Sequence, residues 1–190
     1  MVNVLDKVQP KNKTQLKSLI EYAFNHNIYD LNFIDTSEIT NMSWLFEDVK
    51  HNFDISNWDV SNVTNMSAMF YCCYDFNCDL SNWNVSKVKD MYSMFYGCKK
   101  LNCDLSKWDV SNVTNMHSLF CECYKFTGKG LEHWNVSNVT SMYSMFTACE
   151  NFKGKGLETW DVSKVKDMNY MFNGCDKASI PSWYKLYHRK

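Results

Sequence analysis

The chain has 190 residues, 45% of them hydrophobic, with 20 Lys and Arg against 21 Asp and Glu for a formal charge of -1. Such an apolar content excludes the charged, core-poor composition of a disordered chain, and the near-zero balance gives no ground for a nucleic-acid or anionic-membrane partner. No window approaches the roughly 18 consecutive apolar residues of a membrane-spanning helix, so no membrane span is predicted.

At the N-terminus, Met1-Val-Asn-Val-Leu-Asp-Lys-Val-Gln-Pro10 places acid and base inside a short apolar stretch and has no small-residue cleavage site. It does not read as a signal peptide, and a cytoplasmic location is the expectation. Nine cysteines, an odd number whose placement follows an internal repeat, fit a reducing compartment better than a disulfide framework. Thr14 is positioned to cap a helix through about Asn25, with Leu16, Leu19, Ile20, Ala23 and Phe24 apolar, and Leu31–Ile34 reads as a first strand. Residues 1–33 are therefore expected to form an N-terminal cap.

Six units follow, opening at Asp35, Asp59, Asn84, Asp109, Asn135 and Asp161, offset by 24, 25, 25, 26 and 26 residues. The predicted boundaries are 34–58, 59–83, 84–108, 109–134, 135–160 and 161–178, and a fixed period of this length marks a solenoid or propeller. Each opening Asp or Asn has Ser two residues later, chemistry that closes an Asx-type corner. Six residues into each unit stands Asn41, Asn65, Asp90, Asn115, Ser141 or Asp167, all helix N-cap types. Next, Met66, Met69, Phe70 and Cys73 fall at i, i+3, i+4 and i+7, a spacing repeated in later units, which predicts a helix of about two turns. In Phe76-Asn-Cys-Asp-Leu-Ser-Asn-Trp83 the alternation of Phe76, Cys78 and Leu80 with polar residues predicts a short strand. Trp58, Trp83, Trp108, Trp134 and Trp160 close the units, and residues 179–190, with Ile180, Trp183 and Tyr184, are expected to cap the end.

The recurring Trp-Asp-Val-Ser-Asn-Val-Thr-Asn-Met-x-x-Met-Phe-x-x-Cys resembles the bacterial BspA-like leucine-rich-repeat surface-protein family over about residues 34–178. The resemblance implies a right-handed, leucine-rich-repeat-like coil, an adhesive or protein-binding role and a cell-surface location, with no catalytic residue. Together with the periodicities it gives the expected fold: an α/β solenoid with one short parallel strand and one short helix per turn, behind a helical N-terminal cap.

Residues that recur in every unit are read as scaffold. Cys73, Cys98, Cys123, Cys149 and Cys175 share one register and are expected as a ladder of small buried thiols. Departures from the repeat mark candidate recognition. On the outward side of the expected strands, Asn52, Asn77 and Asn102 form one column and Asp54, Asp79 and Asp104 another, so like charges repeat about every 5 Å. One-residue insertions, Thr127-Gly-Lys-Gly130 and Lys153-Gly-Lys-Gly156, then bring in Lys129 and Lys155, so this face turns from acidic to basic. Tyr71, Tyr74, Tyr92, Tyr96, Tyr124, His117, Tyr143 and Asn169 vary between units, and exposed tyrosines are common binding anchors.

The predicted function is a non-catalytic, monomeric protein-binding scaffold with no cofactor and no metal, contacting its partner through the Asp and Asn columns, the two lysines and the tyrosines. The alternatives are a carbohydrate-binding or carbohydrate-active solenoid, or an adhesin exported by an unrecognised route. No acids depart from the repeat to converge in a cleft, and no histidine shares a register with a nucleophile, so an enzyme is not indicated.

Overall fold

A computed structural model describes residues 7–175 and 178–187. The opening six residues of the predicted N-terminal cap, two residues of the sixth unit and the last three of the C-terminal cap lie outside that description. Helix α1 (Lys13–Asn25) forms where the sequence places it, but its cap is Asn12, whose Oδ1 accepts from the Gln15 N–H at 3.0 Å, so Thr14 already lies inside. Leu16, Ile20 and Ala23 make its buried face.

The units stack one upon the next through parallel contacts at Asn41, Asn65, Asp90, Asn115, Ser141 and Asp167. The expected α/β solenoid with a leucine-rich-repeat strand and helix in every turn is nevertheless wrong. The described residues hold two α-helices, α1 and α2 (Ser182–Tyr187), two short 3-10 turns at Leu131–His133 and Leu157–Thr159, and no strand or sheet.

Where helices were expected, each unit has an arm of overlapping turns. In 66–73, Met69, Tyr71 and Cys73 donate N–H to the carbonyls of Met66, Ala68 and Phe70, three residues back. The intervening N–H groups of Met66, Ala68, Phe70 and Cys72 donate to the carbonyls of Asp90, Tyr92, Met94 and Tyr96 in the next arm, at 2.7–2.9 Å. An α-helix would consume both sets internally. The alternation requires left-handed backbone at Ala68 (φ 53) and Cys72 (φ 57), and the same two positions recur as Ser93 and Gly97, Ser118 and Glu122, Ser144 and Ala148, Tyr170 and Gly174. The predicted cap residues make turns instead: Asn65 Oδ1 accepts from Ser67 N–H and Asp90 Oδ1 from Tyr92 N–H.

The expected strands fail because side chains take their ladder bonds. The N–H of Asn77 donates to Asn52 Oδ1 at 3.1 Å and that of Asn102 to Asn77 Oδ1 at 3.0 Å, so an asparagine ladder replaces a backbone one. Opening residues close the predicted Asx corners, as in Ser61 N–H to Asp59 Oδ1 at 2.9 Å and Ser111 N–H to Asp109 Oδ1 at 3.0 Å.

Inside, identical residues lie over one another. Phe46, Phe70, Phe95, Phe120, Phe146 and Phe172 stack at ring spacings of 5.3–5.8 Å, and burying each such ring contributes roughly 1.5–3 kcal/mol. Every thiol of the predicted ladder donates to a carbonyl one turn back, as Cys98 Sγ does to Phe70 O at 3.1 Å. Burial pushes the Cys73 thiol up to about 12 and those of Cys98, Cys123 and Cys149 well above their ordinary value. Trp58, Trp83, Trp108, Trp134 and Trp160 likewise donate Nε1–H to Leu31, Ile55, Leu80, Leu105 and Leu131 carbonyls. The column has a sixth member, Trp183 in α2, bonded to Leu157 O at 2.9 Å.

Candidate functional site

The predicted recognition residues fall on two different stretches of each turn. On the stretch after the arm, Asp54, Asp79 and Asp104 each hold the N–H of the serine two residues on, Ser56, Ser81 and Ser106, at 2.9–3.0 Å. Those bonds keep the carboxyls of Asp54 and Asp79 below the usual range. At Asp104 the leading cause is Lys129, whose ammonium lies 2.7 Å from Oδ2, with Ser106 adding to it. The column thus has outward carboxylates, but each spends one oxygen on its own corner. Asn77 and Asn102 spend theirs on the turn-to-turn ladder.

Lys129 and Lys155 stand on the two glycine insertions, exposed on a shallow groove of about 310 Å³ with Thr127, Gly128, Glu132 and Lys153. The loops depend on glycine: Gly130 has φ 92, and a Cβ there would come within 2.4 Å of the Ser106 nitrogen. Left-handed backbone and close approach both exclude a side chain.

The tyrosines occupy the outer side of the arm. Tyr71 and Tyr96 stack at 4.9 Å, and Trp44 extends the pair by one turn at 5.5 Å from Tyr71. One register over, His117 lies between Tyr92 at 5.0 Å and Tyr143 at 4.8 Å, and Tyr170 meets Tyr143 edge-on at 5.6 Å. The first run spans units one to three and the second units three to six, so seven rings lie on the arm face in two runs, with unit three giving Tyr96 to the first and Tyr92 to the second. Trp44, Tyr92 and Tyr170 are the exposed members, and Tyr170 is the most open at 58%. Tyr96 donates its hydroxyl to Glu122 at 2.8 Å, which raises its pKa, and burial lowers that of His117.

The tyrosines were found by asking which positions break the repeat. Trp44 and Tyr170 escaped that test, because their register holds Ala or Ser in the units between them and the large rings come only in the first and last units. A further column was only half seen: Lys50 lies 4.5 Å from the centre of the Tyr74 ring, while Lys99 lies 4.3 Å from that ring and 5.6 Å from Tyr124. Such cation–π contacts hold the lysines across turns.

No cluster of three or more His, Cys, Asp or Glu side chains suited to a metal ion occurs among the described residues. No described helix is long and apolar enough to cross a membrane. A family model described as "Mycoplasma protein of unknown function, DUF285" matches residues 14–129 and 102–184. No curated protein and no solved structure matches the chain.

Proposed function

The chain belongs to the DUF285 family of Mycoplasma proteins of unknown function, and within it we propose that this member is a non-catalytic scaffold that binds a protein partner through its two aromatic runs. The observation that carries the reading is two runs of rings on the arm face, Trp44–Tyr71–Tyr96 and Tyr92–His117–Tyr143–Tyr170, each with neighbours 4.8–5.6 Å apart from turn to turn. Stacking has already fixed the rotamers of these side chains. Binding them therefore costs little further ordering entropy, and Tyr and Trp are the residues most enriched at interface hot spots.

Carbohydrate binding is the second reading, and ring orientation weighs against it. Tyr71 with Tyr96 and His117 with Tyr143 stack near parallel and spend those faces on one another, whereas a sugar platform needs an open face. The BspA-like resemblance supports a binding role of the same kind.

The test is photo-crosslinking from residue 92 or 143 in lysate of a source organism, followed by purification of the captured protein and titration with variants. Tyr92→Ala with Tyr143→Ala is expected to weaken binding by about 2 kcal/mol or more. Asp79→Lys with Asp104→Lys is expected to change it by less than about 1 kcal/mol. Equal affinity of the aromatic variant and the wild-type chain for every captured protein sinks the reading.

A further inference from the structure

The turn-to-turn ladder ends on donors. At the junction of units five and six, Met142, Ser144, Phe146 and Ala148 give their N–H groups to the carbonyls of Asp167, Asn169, Met171 and Asn173 at 2.7–2.9 Å. In the sixth arm the equivalent donors are Met168, Tyr170, Phe172 and Gly174. A seventh turn begins above them, since Ser179 N–H bonds Lys153 O at 2.9 Å and Trp183 takes the next place in the tryptophan column. Helix α2 then carries the chain off the path that a seventh arm would follow. From α2, the Tyr184 hydroxyl is brought near the Phe172 N–H of this row. The N–H groups of Met168, Tyr170 and Gly174 have no acceptor among the described residues. They border a groove of about 510 Å³ lined by Asn169, Tyr170, Phe172, Asn173, Ile180 and Tyr184.

We propose that this groove binds a polypeptide segment of a partner, laid down in overlapping turns as the arm of a seventh turn. Three of its carbonyls accept from Met168, Tyr170 and Gly174, and apolar side chains in the arm's own pattern, apolar-x-x-apolar-apolar, cover Phe172 and Ile180. Main-chain bonds supply the affinity and the apolar pair the selectivity, as in strand addition to an open sheet edge. A second folded copy is a poor occupant. The carbonyls that would match, those of Asn41, Ser43, Leu45 and Glu47, lie on the first arm, against which α1 packs through Lys13 to Ser43 Oγ at 3.0 Å and Phe24 to Phe46. The inference shares Tyr170 with the second aromatic run but rests on its backbone N–H and not on its ring.

The experiment uses the full chain, labelled with ¹⁵N, and an end-blocked peptide Ser-Met-Tyr-Ser-Met-Phe-Thr-Ala, the sequence of residues 141–148. At saturating peptide, amide exchange at Met168, Tyr170 and Gly174 is expected to slow by about tenfold or more, with that at Met142 and Ser144 unchanged. A scrambled peptide is expected to have no effect. Ile180→Asp is expected to weaken peptide binding by about tenfold or more, and Tyr92→Ala to leave it unchanged. If Ile180→Asp does not fold, Asn173→Asp at an exposed position places a competing acceptor in the groove and is expected to weaken binding likewise. The proposal is overturned by no slowing, by equal slowing with the scrambled peptide, or by slowing that rises with protein concentration alone, which would make a second copy the occupant.

Discussion

At the first turn, thirteen residues of α1 lie against an arm whose outward groups are carbonyls; at the last, six residues of α2 lie beside an arm whose outward groups are N–H donors. The first end has a buried apolar contact of Leu16, Ile20 and Ala23, and none of the α2 residues is fully buried. A carbonyl with two lone pairs tolerates an imperfect partner better than an N–H does, so a helix with no donors to spare can still serve as a lid for acceptors. Donors need a matching acceptor, and α2 supplies one hydroxyl. Which polar group a repeat stack leaves at each end thus decides what kind of cap can close it.

The largest test of this contrast is Leu16→Ala, expected to cost about 2–5 kcal/mol in urea unfolding because the side chain is fully buried beneath the cap. Trp183→Ala at the other end is expected to cost less, about 1–2 kcal/mol, since it removes one hydrogen bond and a half-buried ring. Equal losses at the two ends would break the comparison. Tyr184→Phe sharpens it, with about 0.5–1.5 kcal/mol expected to be lost and amide exchange at Phe172, the N–H nearest the hydroxyl, expected to rise.

The smallest effect is one of pH, at a site remote from both ends. Burial lowers the folded-state pKa of His117, with Asp167 opposing, while its other close neighbours are the Tyr92 and Tyr143 rings. The unfolded chain then binds the proton more readily, so stability present above about pH 6.5 declines as pH falls through the unfolded and then the folded value. His117→Phe is expected to flatten thermal midpoints measured between pH 7.5 and 5.5, whereas an unchanged pH slope would show that this ring does not contribute.

Much of the scaffold could be read from residues alone: the period, the Asx corners at Asp59 and Asp109, the cysteine and tryptophan columns and the extent of α1. Secondary structure could not, because the i, i+3, i+4, i+7 spacing of Met66, Met69, Phe70 and Cys73 buries one side of a chain of overlapping turns as well as it buries one side of a helix. The overlooked clue was Gly97 and Gly174 in one register and Ala or Ser four residues before most such positions, small residues where the backbone is left-handed. The strand reading failed at Asn52 and Asn77, whose side chains could not be known in advance to replace a backbone acceptor. On the candidate surface, Tyr71, Tyr92, Tyr96 and Tyr143 stood out as departures from the repeat. Their arrangement as two stacked runs emerged only when the turns were laid over one another.

In the arms, four peptide N–H groups per junction point toward the later turn, while the Thr64 N–H points the opposite way to Thr40 O. Peptide moments that alternate in a β-sheet here mostly add, giving the arm side of the coil a net macrodipole. Its positive pole lies at the open last turn, the reverse of an α-helix, and its negative pole lies under α1. The ammonium of Lys13 sits at that negative pole, whereas electron-rich groups are favoured at the other.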